Sequence, residues 1–119
     1  MFSLLLLVAA FSGCSPHRGA TRELVLIARG MSFVLEDQPG VINPTIALRT
    51  GQRVHLVLRN EAPGLLHDVS IPAFDIDVEP ARAGESREVT FIVPDVPGRH
   101  EYHCRPHSQW MKGVIDVTR

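Results

Sequence analysis

The sequence predicts an all-β protein, a two-sheet antiparallel Greek-key sandwich of about eight or nine strands, and three observations carry the prediction. Nine prolines and nine glycines are scattered between short apolar runs. This favours many turns and few long helices, because proline removes a backbone donor and glycine readily takes positive φ. The runs end in turn residues at the spacing of a sandwich rather than of alternating helices and strands. Within Arg53–Arg59, Val54, Leu56 and Leu58 alternate with Arg53, His55 and Arg59, a period of two that buries one face of a strand.

Taken in order, Leu24–Arg29 and Ser32–Leu35 are the first strands, broken at Gly30. Two prolines and a glycine make Glu36–Pro44 a loop. Ile46–Leu48 leads through Thr50-Gly51-Gln52 into the alternating strand. His67–Ile71 and Ile76–Val78 are short strands separated at Pro72. Arg87–Val93 and Arg99–His103 flank the turn Pro94-Asp95-Val96-Pro97-Gly98, and Gly113–Thr118 closes the domain. Two packed antiparallel sheets accommodate this set. No internal repeat or low-complexity segment interrupts it.

A length of 119 residues with 45% apolar residues suits one packed domain. Twelve Lys+Arg against 13 Asp+Glu give a formal charge of −1, with no basic cluster of the kind that condenses onto phosphate backbones, so nucleic acid is excluded as the expected partner. Residues 1–13 read as a signal peptide, too short an apolar run for a spanning helix of ~20 residues. The run ends in Ser12-Gly13-Cys14, which resembles the lipobox of bacterial lipoproteins and implies a lipidated Cys14. Residues 14–22 then form a tether that includes His17, and residues 23–119 the domain. An ordinary secretory signal with an incidental Cys14, and a Cys14–Cys104 disulfide, are the other arrangements these residues allow. With a cleaved signal of either kind the domain is exported.

The chemistry concentrates near the C-terminus. Tyr102-His103-Cys104-Arg105-Pro106-His107-Ser108-Gln109-Trp110-Met111-Lys112-Gly113 brings a thiol, an imidazole and a thioether into one loop. Pro106 stiffens the spacer between Cys104 and His107. This set lacks one strong donor, and His67 is the best candidate for it. It follows the loop Asn60-Glu61-Ala62-Pro63-Gly64 and begins a strand, so it stands at one end of the sandwich, as Cys104 does. Two histidines, one cysteine and a weak methionine are the ligand array of blue-copper electron-transfer sites. His55 and His100, lone histidines on strands, are expected at solvent-facing or edge positions.

From Gly30 to Thr118 the sequence resembles the type 1 copper proteins of the cupredoxin family, as in plastocyanin and amicyanin. The matching pieces are Met31-Ser32-Phe33, Gly51, Asn60, His67, Pro97-Gly98, Tyr102-His103-Cys104, the Cys104-x-Pro106-His107 core and Met111-x-Gly113. The resemblance implies that His67, Cys104, His107 and Met111 hold one mononuclear copper ion. The His107-to-Met111 spacer has a length between those of the two relatives. Asp68 stands where plastocyanin-like proteins carry Asn, and a carboxylate there is expected to favour Cu(II) and lower the potential. The segment His67–Phe74 is also similar to the copper domain of cytochrome oxidase subunit II, but a binuclear centre needs a second nearby cysteine that this chain lacks.

Two plainer readings apply to the same residues: a buried structural thiol at Cys104, and a zinc site that needs His103 as a fourth strong ligand. Trp110, with Pro63, Leu65, Leu66 and Pro106, either packs the loop or forms a docking patch around His107. The expected function is an extracytoplasmic, membrane-anchored, monomeric electron carrier without substrate turnover. It docks weakly with redox partners near His107 and Trp110. A copper carrier, assembly or storage protein that uses the same ligands without cycling is the alternative.

Overall fold

The computed structural model describes residues 19–119. The signal peptide, Cys14 and most of the tether lie outside the described residues. Nine strands form: β1 Arg22–Arg29, β2 Ser32–Leu35, β3 Ile46–Arg49, β4 Arg53–Asn60, β5 His67–Ile71, β6 Ile76–Ala81, β7 Ser86–Ile92, β8 Gly98–His103 and β9 Lys112–Thr118. Two short 3₁₀ turns, Pro72–Phe74 and Arg105–His107, are the only helical elements among the described residues. All nine strands lie within residues 22–118, so a chain beginning at Gly19 retains every described pairing.

The strands make two sheets, ordered β2-β1-β4-β7 and β3-β9-β8-β5-β6. Their inner faces meet in one core that includes Leu26, Phe33, Leu48, Leu58, Val69, Tyr102 and Ile115. The sandwich is as expected; its purely antiparallel pairing is not. β1 runs parallel to β4, from Arg22 opposite Val54 to Ala28 opposite Asn60, and β3 runs parallel to β9. The cause is connectivity. After the β1–β2 hairpin the chain crosses to the other sheet as β3 and returns as β4 beside β1, so these sheet neighbours are not hairpin partners. Period-two patterning specifies which face a residue occupies and leaves the direction of its neighbour open.

Strand ends converge on one pole. The C-terminal ends of β1, β4 and β8 and the N-terminal ends of β5 and β9 meet there, as the registers Ala28 to Asn60 and His103 to Lys112 show. Asn60 fastens this end. Its buried side chain donates to the carbonyls of Leu65 and Ala81, at 2.7 and 2.8 Å, and accepts from the Ala62 N–H at 2.8 Å. The loop leading to His67 is thereby fixed on both sides.

Candidate metal centre

His67 opens β5 and faces inward with Val69 and Ile71, while Asp68 and Ser70 take the opposite face. All five residues of the strand are buried. The β5–β6 register slips between His67 and Val69, where β6 carries an extra residue in the Glu79–Pro80 stretch. Such a bulge re-aims the side chain beside it. The His67 ring donates from Nε2 to the carbonyl of Gly30, 2.8 Å away. A carbonyl only accepts, so the proton sits on Nε2 and Nδ1 presents a lone pair, the usual way a ligand histidine is oriented.

Cys104 follows the last residue of β8 and is fully buried. The next three residues wind into the 3₁₀ turn Arg105–His107, with Pro106 at its second position. Four main-chain hydrogen bonds tie this loop to itself: Cys104 N–H to Met111, His107 N–H to Cys104, and the N–H groups of Trp110 and Met111 to His107. The turn brings His107 Nδ1 to 3.6 Å from Cys104 Sγ, and His67 Nδ1 stands 3.7 Å from the same sulfur. The two imidazoles meet edge to face at 4.9 Å between ring centres.

Two imidazole nitrogens from separate parts of the fold converge on one buried sulfur, His67 Nδ1 with its lone pair turned to it. A shared ion explains this convergence. Metal–sulfur and metal–nitrogen bonds of about 2.3 and 2.0 Å, meeting at tetrahedral to trigonal angles, set sulfur and nitrogen about 3.5–3.8 Å apart. Ligand atoms of His67, Cys104 and His107 all lie within 4.8 Å of one another. Met111 is fully buried at the far end of the same loop. Burial pushes the Cys104 thiol above its ordinary range and His67 below its own. A thiolate in so dry a place needs a cation beside it. Soft sulfur with two imidazoles fits one mononuclear copper ion.

His103 stays outside the cluster, so the four-ligand zinc reading lacks its fourth residue. His55 bonds Glu88 at 3.1 Å and His100 bonds the Val96 carbonyl at 2.6 Å, away from the centre as expected. Trp110 is 60% exposed and Leu66 51% exposed. Trp110 therefore does not serve chiefly to fill the loop interior.

Asp68 is legible in the sequence but its partner Arg105 is not, and Asn43 and the Gly30 carbonyl escape sequence reading. Asp68 accepts from the backbone N–H and from Nε of Arg105, each at 2.8 Å. Its carboxylate lies 5% exposed and carries its own counter-charge. Asn43, in the left-handed region at φ 48°, accepts from Phe33 N–H and donates to the Trp110 carbonyl, both at 2.9 Å. It locks the long loop against the cysteine loop. The Gly30 carbonyl is invisible as side-chain chemistry. Asn43 falls within the loop expected over Glu36–Pro44, with no sign there of its contacts.

No protein-family model matches the chain, and no curated protein sequence matches it. Solved structures do. An auracyanin from Roseiflexus castenholzii superposes with a TM-score of 0.63 at 17% identity, covering 85% of this chain and 100% of its own. Auracyanin A of Chloroflexus aurantiacus, a blue copper protein, gives 0.60 at 17%, covering 83% of this chain and 100% of its own. The copper-containing nitrite reductase of Thermus scotoductus SA-01 gives 0.61 at 27% identity over 82% of this chain, which spans 28% of the reductase's length. The mixed two-sheet sandwich, with its buried Cys104 flanked by two imidazoles at one pole, is the cupredoxin fold.

Proposed function

We propose that this chain is an electron carrier whose single copper, held by His67, Cys104, His107 and Met111, cycles between Cu(I) and Cu(II) outside the cytoplasm. The observation that carries the reading is the placement of Cys104 Sγ at 3.6 and 3.7 Å from two imidazole nitrogens supplied by separate parts of the fold. Copper supplies the one-electron couple. The residues supply a fixed frame for it. His67 is locked by Gly30, the loop from Cys104 to Met111 is closed by its own main-chain bonds, and the donor set mixes a sulfur that suits Cu(I) with imidazoles that suit Cu(II). A frame that does not move between the two states favours rapid exchange.

His107 is the partly exposed ligand. It lines a surface groove with Leu65, Leu66 and Pro106, and exposed Trp110 stands on the same loop. This apolar rim suits the small, weak interfaces of redox encounters. With Cys14 lipidated, residues 15–21 tether the domain to a membrane, and confinement raises its effective concentration near membrane oxidoreductases. The mass of the mature chain from its native host tests the anchor: acyl groups on Cys14 are expected, and an unmodified chain cut elsewhere removes it.

The test of function is the visible spectrum of the chain beginning near Ser15, loaded with Cu(II), beside Cys104→Ser. An intense thiolate-to-copper band, lost in the variant, together with reversible reduction is expected. A colourless protein that hands Cu(I) to a chelator would instead establish the non-cycling carrier.

A further inference from the structure

The end of the sandwich opposite the metal centre gathers arginines. Arg22 starts β1, Arg49 ends β3, Arg53 starts β4, Arg99 lies at the start of β8 and Arg119 follows β9. The registers place them at one pole: Arg22 pairs with Val54, Arg49 with Thr118, and Arg53 with Ile92. Among the described residues, Arg119 is the one member of this set that meets a carboxylate, Asp95 at 3.2 Å, and that pair is largely exposed. Arg22 uses one Nη1 on the Ala47 carbonyl. The neighbouring Glu23 faces His55, 3.9 Å away, across the sheet.

The site end is different. There Arg29 pairs with Glu61, Arg59 with Glu36, Arg87 with Glu85, and Arg105 with Asp68. Four of the five arginines meet no carboxylate within 4.0 Å among the described residues, although Arg22 shares a groove with Glu23, Glu36 and Asp37.

We propose that this arginine-bearing end is a docking surface for anionic phospholipid headgroups. Two observations select a lipid surface over an acidic protein. Gly19 and Ala20, the first described residues, lie against Arg49, Arg53 and exposed Ile92 in one open groove of about 560 Å³, so whatever precedes Gly19 joins the domain at this end. The preceding residues include an apolar run and Cys14, which brings the same end to a bilayer if the anchor is present. Guanidinium groups free of carboxylate partners are available to phosphate, which they recognise through two parallel N–H donors. Stable membrane attachment takes two signals, and an arginine patch beside a lipid is such a pair. The metal-centre end then faces away, its apolar rim open to partners.

The experiment uses residues 19–119 without any lipid, so the outcome does not depend on the anchor. Partition is measured onto phosphatidylcholine vesicles and onto vesicles with about one third phosphatidylglycerol, at about 0.01 and 1 M salt, where screening lengths are about 30 and 3 Å. Binding is expected to the anionic vesicles alone and only at low salt. Each arginine removed should weaken it about fivefold, so Arg49→Gln with Arg53→Gln costs about 25-fold. Arg29→Gln with Arg59→Gln, which changes net charge equally at the other end, is the control and should weaken partition clearly less than the arginine-end pair. No binding to anionic vesicles at low salt overturns the proposal and leaves the patch to an acidic protein. An equal loss in the control pair also overturns it, since net charge alone would then be responsible.

Discussion

Asp68 sits beside the proposed ligand His67 with its charge met by Arg105, and this alters what a carboxylate at that position does. Alone, a negative charge next to the centre stabilises Cu(II) over Cu(I) and lowers the potential. With Oδ1 accepting from the Arg105 backbone N–H and Oδ2 from its guanidinium, each at 2.8 Å, part of its field is offset. Arg105→Gln removes the counter-charge and is expected to lower the potential by an amount on the order of tens of millivolts. Asp68→Asn leaves the guanidinium alone and should move it in the opposite direction. Redox titration of both variants checks the pair. Unchanged potentials in both would show that Asp68 and Arg105 only brace the loop.

Elements show how packing holds the site in place. Gly113 of β9 lies across from Tyr102 of β8, and a Cβ there would stand 2.4 Å from the Tyr102 ring. The ring is buried and its hydroxyl donates to the Pro44 carbonyl at 2.6 Å, so it has nowhere to go. Gly113→Ala is expected to destabilise by about 1–3 kcal/mol through overpacking. Asn60→Ala leaves two carbonyls and an N–H without partners and should cost about 3 kcal/mol. Urea unfolding measures both. If either keeps parental stability, the element it belongs to is held by something other than these contacts. Most of this architecture was legible beforehand because β4 alternates cleanly and turns punctuate the rest. β6 runs on through Pro80 to Ala81, past the expected end at Val78; as the edge strand of its sheet it tolerates a missing donor. β1 begins at Arg22, within a stretch that reads as tether, because parallel pairing with β4 needs no apolar signal at its first residue. The convergence of His67, Cys104 and His107 was legible from their own donor chemistry. Asn43 and the Gly30 carbonyl were not, since main-chain acceptors carry no residue signature and the Asn43 contacts join segments far apart in sequence.

At the scale of the whole molecule, two opposite ends have different work, and the single tryptophan reports on which way they point. Trp110 lies at the metal-centre end, and Ile92 at the arginine end is 49% exposed. The eight residues of β4 that separate the ends span about 26 Å at ~3.3 Å per residue, well beyond the reach of a contact quencher. On anionic vesicles carrying brominated lipid, the copper-free chain should keep most of its Trp110 emission. A Trp110→Phe, Ile92→Trp chain should be strongly quenched, because its indole sits among the headgroups. Salt that disperses the arginine–phosphate contacts should restore that emission, while adding little to the Trp110 signal. Strong quenching of Trp110 with a silent probe at position 92 would mean that the apolar rim around His107, rather than the arginine end, meets the bilayer. The exposed ligand edge would then be closed to partners whenever the protein is membrane-bound.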